Sequence, residues 1–299
     1  MKLYFKYILL FVGMSVLFTA CYKEDDIVAE LAEDEKRPEP SDDPVDGYIY
    51  DFFKNYETYV FYNYDTLDYQ WEFMDNHEVV FVEQSDRLLL EEGVNLLEAI
   101  FAGLYPDDFK KKHFPPYIFL ADSINQTIYD GELNLASFKG TSFVALGRIG
   151  DNIADYTEEE IQEMKLSINL DLWRGYFVLN DKFKIPAEFG QVSEEYYGLN
   201  MLDHTGVDWW EDIDFYEYGF WKGYGKPIYW WYPSWLSDPY YSPNDVNEDL
   251  DAYFEMIFTH TESELLAMID GYPKMKAKYN ILMEYVENNY GFNLHDVAN

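Results

Sequence analysis

The stretch that decides the fold is residues 157–189, which read TEEEIQEMKLSINLDLWRGYFVLNDKFKIPAEF. It opens with a capping box, in which the Thr157 hydroxyl can accept from the Glu160 N–H while the Glu160 carboxylate accepts from the Thr157 N–H. Two adjoining apolar stripes follow at helical spacing, Ile161, Met164, Ile168 and Leu172 in one, Leu166, Leu170, Trp173 and Phe177 in the other. The pattern predicts a long central helix that is covered on most of its circumference.

The elements on either side of this helix predict an α+β fold. Extended segments rich in β-branched and aromatic residues precede it at 58–64, 77–82, 117–120 and 142–146, together with a helix capped by Asp86. Helices follow it, beginning at Ser242-Pro243 with Ser242 as N-cap, at the capping box of Thr261, and at Pro273 with an end at Gly291. We therefore expect a small N-terminal sheet and a helical C-terminal half.

The first 20 residues have the features of a bacterial lipoprotein signal peptide. Lys2 and Lys6 form a positive region, and 7–18 is an apolar segment too short to span a bilayer comfortably. The segment ends in LFTAC at 17–21, which is similar to a lipobox and predicts lipidation of Cys21. Because Cys21 is the only cysteine, no disulfide can form within the mature chain.

Residues 21–46 are acidic and contain three prolines, so we interpret them as a tether, with one domain over 47–299. The run after the lipidated cysteine, YKEDD at 22–26, resembles acidic tags that export lipoproteins to the outer face of the outer membrane. Acylation supplies enough buried methylene groups for stable anchoring. We expect the protein to be lipid-anchored in the outer membrane and exposed at the cell surface.

Charge excludes one class of partner. The chain has 57 acidic and 21 basic residues, for a formal net charge of −36. Such a chain repels a phosphate backbone, so nucleic acid is not an expected partner.

Residues 193–242 predict an irregular, aromatic-rich insertion, because tryptophans and tyrosines crowd there among glycines. Its tryptophans invite two interpretations. They pack a second core, or they stack on sugar rings while neighbouring carboxylates accept hydroxyl hydrogen bonds. The candidate ligand-binding residues are Trp209, Trp210, Trp230, Trp231 and Trp235.

No metal or cofactor motif is complete. His77-Glu78 begins an HExxH pattern, but Phe81 stands where the second histidine belongs, and the stretch alternates like a strand. No two of the five histidines (77, 113, 204, 260 and 295) have metal-ligand spacing. The acidic cluster over 244–251 suits either the positive end of a helix or a hard cation such as Ca²⁺. We expect no cofactor.

Several segments together resemble a family of substrate import-associated zinc metallohydrolase lipoproteins, also described as zinc-binding metallopeptidases. The similar segments are the strand at 59–64, the run at 110–120, the run at 177–189 ending in PAEF, the helix NEDLDAY at 247–253, and the closing helix and tail at 276–294. In order they cover most of the mature chain. The resemblance implies a zincin-like fold and an association with outer-membrane import systems.

The chain departs from this family at its metal site. Aligning Pro186 and Phe189 with the family pattern places Trp173, Arg174 and Phe177 at the positions of the HExxH motif. Trp and Phe cannot bind Zn²⁺, and an arginine would bring positive charge where a general base belongs. We therefore expect neither a metal nor a catalytic residue at this place.

These observations predict a non-catalytic surface lipoprotein, a pseudo-metallopeptidase scaffold that supports capture of a glycan or peptide in an outer-membrane import system. Two alternatives remain open. One is a zinc-dependent metallohydrolase whose ligands have moved to His204, His260 and acidic residues. The other is a structural accessory subunit of an import complex.

Overall fold

The structure is a computed structural model that describes residues 37–70, 79–128, 131–178, 180–221 and 241–298, with the side chain of Trp210 outside the description. The predicted signal peptide and Cys21 lie outside the described residues. From Pro38 onward the described residues form one compact unit. Its first helix begins at Pro44, so it includes the last residues of the predicted tether.

A six-stranded mixed sheet is built around one long strand, β3. The strands are β1 Tyr59–Phe61, β2 Val79–Glu83, β3 Tyr117–Ile128, β4 Gly131–Leu135, β5 Ser137–Lys139 and β6 Phe143–Leu146. The first part of β3 pairs in parallel with β1 and β6, and β5 lies antiparallel to β6. The second part of β3 pairs antiparallel with β2 and β4.

The first part of β3 and strand β6 are buried on both faces of the sheet, which explains why these parallel strands read as continuous apolar runs. In β3, Ile118 and Leu120 belong to the main hydrophobic core, whereas Phe119 and Ala121 belong to a second, smaller core. Strand β6 alternates in the same way between the two cores. Alternate side chains of a strand point to opposite faces, so a fully apolar strand is buried on both sides.

Helices supply most of the remaining structure and dominate the C-terminal half. They are α1 Pro44–Tyr56, α2 Leu67–Gln70, α3 Arg87–Ile100, α4 Asp107–His113, α5 Glu158–Leu170, α6 Ala187–Gln191, α7 Met201–Thr205, α8 Val246–Thr259, α9 Glu262–Ile269, α10 Pro273–Tyr290 and α11 Leu294–Ala298. Helix α5 continues into a π-helix, Asp171–Val178. None of the helices within the described ranges combines the length and the apolarity needed to cross a bilayer.

The predicted α+β fold is confirmed, and so is the central helix. The capping boxes at Thr157 and Thr261 form as expected, and Asp86 caps α3. Along the predicted stripes Met164, Ile168, Leu172, Trp173 and Phe177 are buried, and Ile161, Leu166 and Leu170 are partly buried against the same core.

One helix start is corrected by the structure. Ser242 was predicted to cap the helix that follows, but α8 begins at Val246 and its N-cap is Asp245, whose carboxylate accepts from two backbone N–H groups. The Ser242 hydroxyl instead donates to the Tyr196 carbonyl at 2.5 Å and accepts from the Leu199 N–H at 3.0 Å. Because its hydroxyl is bonded to these two backbone groups, Ser242 is not available to cap the helix.

Candidate functional site

The positions compared with the zinc-binding histidines are filled by rings packed in the main core. Trp173 and Phe177 are at most 2% exposed, and their ring centroids lie 5.1 Å apart. Five more rings surround the Trp173 indole at centroid distances of 5.4–6.2 Å, those of Phe109, Phe183, Phe254, Tyr290 and Phe292. All of these rings except that of Phe183 come from distant parts of the chain, so aromatic packing covers the helix on this side.

The indole nitrogen of Trp173 is part of a buried hydrogen-bond chain. Its Nε1 donates to the Tyr105 hydroxyl at 3.0 Å, which donates to Oδ1 of Asn169 at 2.7 Å. The Asn169 amide nitrogen donates to the carbonyls of Ile100 and Lys165. Burial raises the pKa of Tyr105, so this hydroxyl stays a neutral donor. A buried chain whose polar groups are all satisfied fixes the orientation of the indole.

Arg174 points to a different neighbour, helix α8. Its Nη2 donates to Oδ2 of Asp251 at 2.6 Å, and its Nε donates to Oδ1 of the same carboxylate. Glu255, one turn further along α8, has Oε2 at 3.6 Å from Nη1. Burial raises the pKa of Glu255; Arg174 works against this shift, and Asp251 adds to it. The guanidinium is thus held in a two-pronged ion pair that ties the π-helix to α8.

These residues do not fit a zinc ion. Zinc in proteins is held by thiolates, imidazole nitrogens and carboxylates. A phenyl ring offers no lone pair, the indole nitrogen is a donor only, and a guanidinium carries a positive charge. The structure therefore gives residues 173, 174 and 177 the roles of core and ion-pair residues.

The histidines occupy separate surroundings. His77 lies outside the described residues. His113 packs against Phe109 and Tyr290, His204 against Tyr196 and Tyr218, His260 against Trp221, and His295 is hydrogen-bonded to Tyr279. Over the ranges that the structure describes, no three His, Cys, Asp or Glu side chains come together in a way that could hold a metal ion.

The acidic cluster over 244–251 is divided among different partners. Asp245 caps α8, Asp249 is paired with Lys278 at 2.5 Å, and Asp251 is paired with Arg174. The first of these uses agrees with the helix-terminus interpretation, because a carboxylate there accepts from exposed N–H groups.

Among the five candidate sugar-stacking tryptophans, only the side chain of Trp209 lies within the described part of the chain. Trp230, Trp231 and Trp235 lie outside the described residues, and so does the side chain of Trp210. Trp209 is 68% exposed. Nearby, Met201, Ile213, Phe215 and Phe220 form a small third core. Part of this aromatic segment therefore packs as a core, while Trp209 presents its ring to solvent.

A polar pocket beside the sheet was not predicted from the sequence. The pocket has a volume of about 440 Å³ and its lining includes Asp122, Ser123, Asn134, Arg148, Tyr156 and Glu160. We call it the strand-end pocket, because β3 contributes Asp122 just after its parallel part and the loop after β6 contributes Arg148. A sequence signal existed: the polar run GRIGDN, 147–152, directly follows a fully buried strand.

Arg148 of the strand-end pocket is held through both its backbone and its side chain. Its backbone is left-handed, with φ of 60°. Its carbonyl accepts from the Tyr156 hydroxyl at 2.7 Å, and its Nη2 donates to the Asn134 carbonyl at 3.0 Å. Its Nη1 pairs with Glu163 at 3.1 Å. A non-glycine residue persists in this conformation only where its surroundings fix it.

Comparison with known proteins gave one similar structure. No family model matches the chain, and no curated protein matches it. The chain is similar to a solved structure described as a "putative zinc-binding metallo-peptidase from Bacteroides caccae", at 15% identity and a TM-score of 0.49, over 85% of this chain and 88% of that chain. At this identity the likeness concerns the course of the chain alone.

Proposed function

We propose that this protein is a non-catalytic, lipid-anchored relative of the zinc-metallopeptidase lipoproteins, and that it captures a glycan or peptide for an outer-membrane import system. The observation that carries the non-catalytic part is the burial of Trp173 and Phe177 among aromatic rings. The family and the import role are supported by the ordered segments that resemble those lipoproteins and by the lipobox ending at Cys21.

Positions 173 and 177 are unsuitable for a metal site because of their surroundings as well as their side-chain type. Histidines substituted at positions 173 and 177 would place polar rings in a region that is enclosed by aromatic side chains. An unpaired polar group buried in such a region is unfavourable by about 1–3 kcal/mol. Arg174 is also committed, because Asp251 neutralises its charge through two hydrogen bonds.

Metal analysis tests the proposal. The protein is purified in detergent from the membrane fraction, where a Cys21 anchor would place it, without chelator. We expect zinc well below one ion per chain and a melting temperature that does not change when EDTA is added, because no described group of side chains offers a ligand set.

Two results would contradict the proposal. Stoichiometric zinc that is lost in His204→Ala or His260→Ala would favour a hydrolase with relocated ligands. Recovery of the full-length protein in the soluble fraction, with Cys21→Ser behaving in the same way, would remove the lipid anchor from the proposal.

A further inference from the structure

The strand-end pocket lies beyond the carboxyl end of the parallel pairing between β3 and β6. In α/β sheets, ligands bind beyond the carboxyl ends of parallel strands, because the loops that leave those ends can diverge and form a crevice. Here β3 and β6 are parallel over 117–120 and 143–146. Asp122 and Ser123 follow the first range, and the loop residues from Arg148 to Asn152 follow the second. Asn134 of β4 closes one wall.

The constrained Arg148 gives this pocket a preorganised donor. Its left-handed backbone is held by Tyr156, and its guanidinium is oriented by the Asn134 carbonyl and by Glu163. Strained backbone conformations cluster at functional sites, because the surroundings that enforce them also fix the side chain. A guanidinium presents five N–H donors in a rigid plane, more than these contacts engage.

The charge of the lining disfavours charged ligands. Asp122, Asp151 and Glu160 contribute three carboxylates, against the single guanidinium of Arg148. Hydrogen bonds from Thr157 lower the pKa of Glu160, which therefore stays ionised. Anions are repelled by the carboxylates, and a compact cation would meet Arg148 in the same small space. No metal-holding group occurs among the described residues, and this pocket is no exception.

A neutral ligand rich in hydroxyl groups satisfies such a lining. Each hydroxyl both donates and accepts, so it can bond a carboxylate on one side and an amide or guanidinium N–H on the other. The side chains of Asn134 and Asn152 add amide donors and acceptors, and Tyr156 adds a ring against which sugar C–H groups can lie. A volume of about 440 Å³ is in the range of small-molecule sites and suits one or two sugar rings.

We propose that the strand-end pocket binds a neutral mono- or disaccharide. The assignment rests on the capture role proposed above and adds to it a place and a ligand class. The strand-end pocket differs from the tryptophan-rich surface that the sequence suggested. It would hold a sugar by hydrogen bonds around Arg148 and not by ring stacking alone.

Ligand-observed NMR and calorimetry on the full-length protein test the inference. The probes are glucose, galactose, mannose, N-acetylglucosamine and their common disaccharides, with glucuronic acid, glucosamine and calcium ion for comparison. We expect saturable binding of at least one neutral sugar, with weaker binding of the acid and of the amine of the same ring.

Two variants locate the site. Asn134→Ala removes an amide but keeps the backbone carbonyl that orients Arg148, and it should weaken sugar binding about fivefold or more. Arg148→Gly should fold well, because glycine adopts a φ near 60° without strain, yet it should abolish measurable binding. Asn247→Ala is the control, since Asn247 is exposed on α8 and does not line the pocket.

Each other outcome overturns the inference in a recognisable way. Binding only of calcium, glucosamine or glucuronic acid would give the pocket another ligand class, and binding of none of the probes would show that it is not a sugar site. Sugar binding unchanged in both variants would move the site elsewhere, for example to the surface around Trp209, and would leave the capture role intact. Stoichiometric zinc, by contrast, would defeat the non-catalytic proposal without affecting the sugar measurements.

Discussion

Trp173 is held from two directions at once. The Phe109 ring stacks on the indole with a centroid distance of 5.8 Å, and Tyr105 accepts its N–H. Because Tyr105 passes the hydrogen bond on to Asn169, the ring satisfies both packing and polar requirements in a region without water access. A tryptophan both fills this apolar space and donates its single N–H to a partner, whereas a histidine without a metal would leave a ring nitrogen unpaired.

His295 is a second residue whose surroundings decide its chemistry. The residue is 6% exposed, and its Nε2 lies 3.0 Å from the Tyr279 hydroxyl. Burial lowers the pKa of His295 below the ordinary value of 6.5, although Glu262 and Asp296 act in the opposite direction. The imidazole is therefore neutral in the folded protein over a pH range in which the unfolded chain binds a proton.

We predict that His295 makes the protein less stable as the pH falls below about 6.5. In this range the unfolded chain binds more protons than the folded one, so the free energy of unfolding becomes smaller as the pH falls. Urea unfolding at pH about 7.5 and about 5.5 should show a smaller decrease in His295→Gln than in the wild type. His204→Gln, at an exposed position, controls for the loss of an imidazole. Equal decreases in all three proteins would refute the assignment.

At the scale of elements, the helix from Glu158 to Val178 changes its winding midway. Residues up to Leu170 are α-helical, and Asp171–Val178 is a π-helix. Within the π-helical part, Trp173 and Phe177 face the aromatic core while Arg174 reaches Asp251 on α8. Such wider turns occur frequently at functional sites. Here the wider part of the helix is where core packing and the ion pair to α8 meet.

The π-helix also lies very close to the edge strand β5. A Cβ atom at Gly175 would overlap Cγ of Lys139, whose Nζ lies 3.5 Å from Asp171. Ser137 of the same strand donates to Asp171 at 2.6 Å. The absence of a side chain at position 175 thus lets the strand and the helix share a set of polar contacts.

We predict that Gly175→Ala destabilises the protein by about 1–3 kcal/mol, because the added methyl group must push Lys139 and β5 away from the helix. Chemical unfolding measures the effect. Gly271→Ala is the matched control, since a Cβ there meets nothing within 4 Å. It should be neutral or slightly stabilising, because alanine has less backbone entropy to lose. A stable Gly175→Ala variant would mean that the close approach is not tight.

At the scale of the whole molecule, one buried ion pair joins distant parts of the chain. Lys278 of α10 and Asp249 of α8 are both fully buried, with Nζ and Oδ2 2.5 Å apart. Lys278 also donates to the Gly219 carbonyl at 3.0 Å, and Tyr197 donates to the same Asp249 oxygen at 2.6 Å. Among the described residues, Oδ1 of Asp249 has no hydrogen-bond partner.

This pair carries a desolvation cost that aromatic neighbours partly offset. Burial lowers the pKa of Lys278 to about 8 and raises the pKa of Asp249, while each partner opposes the shift of the other. The ammonium lies 4.5 Å from the Phe220 ring centroid and 5.3 Å from that of Phe189. Rings at such distances attract a desolvated cation.

We predict strong coupling between these two residues. Lys278→Met alone should destabilise the fold by about 3–5 kcal/mol, because it leaves a buried carboxylate without its counter-ion. Lys278→Met combined with Asp249→Leu should recover most of that loss, because an apolar pair has no desolvation cost. Urea unfolding of the wild type, both single variants and the double variant gives the coupling energy. Additive losses would show that the pair is not a unit.

The local signals of the sequence predicted the central helix, the caps at Asp86, Thr157 and Thr261, and the helix from Pro273 to Tyr290. They depend on residues within a few positions of one another, so a single chain contains all the information. The start of α8 was mispredicted because the hydrogen bonds of Ser242 go to Tyr196 and Leu199, more than 40 residues away.

By itself, the sequence determined the α+β class, the central helix and the chemical unsuitability of Trp173, Arg174 and Phe177 as zinc ligands, because side-chain type alone excludes coordination. Only the tertiary structure decided that Arg174 pairs with Asp251, that Asp249 meets Lys278, and that the loop after β6 closes a polar pocket with β3 and β4. These contacts join residues far apart in the chain, and they form only once packing of the two sheet faces has set the distances between the elements.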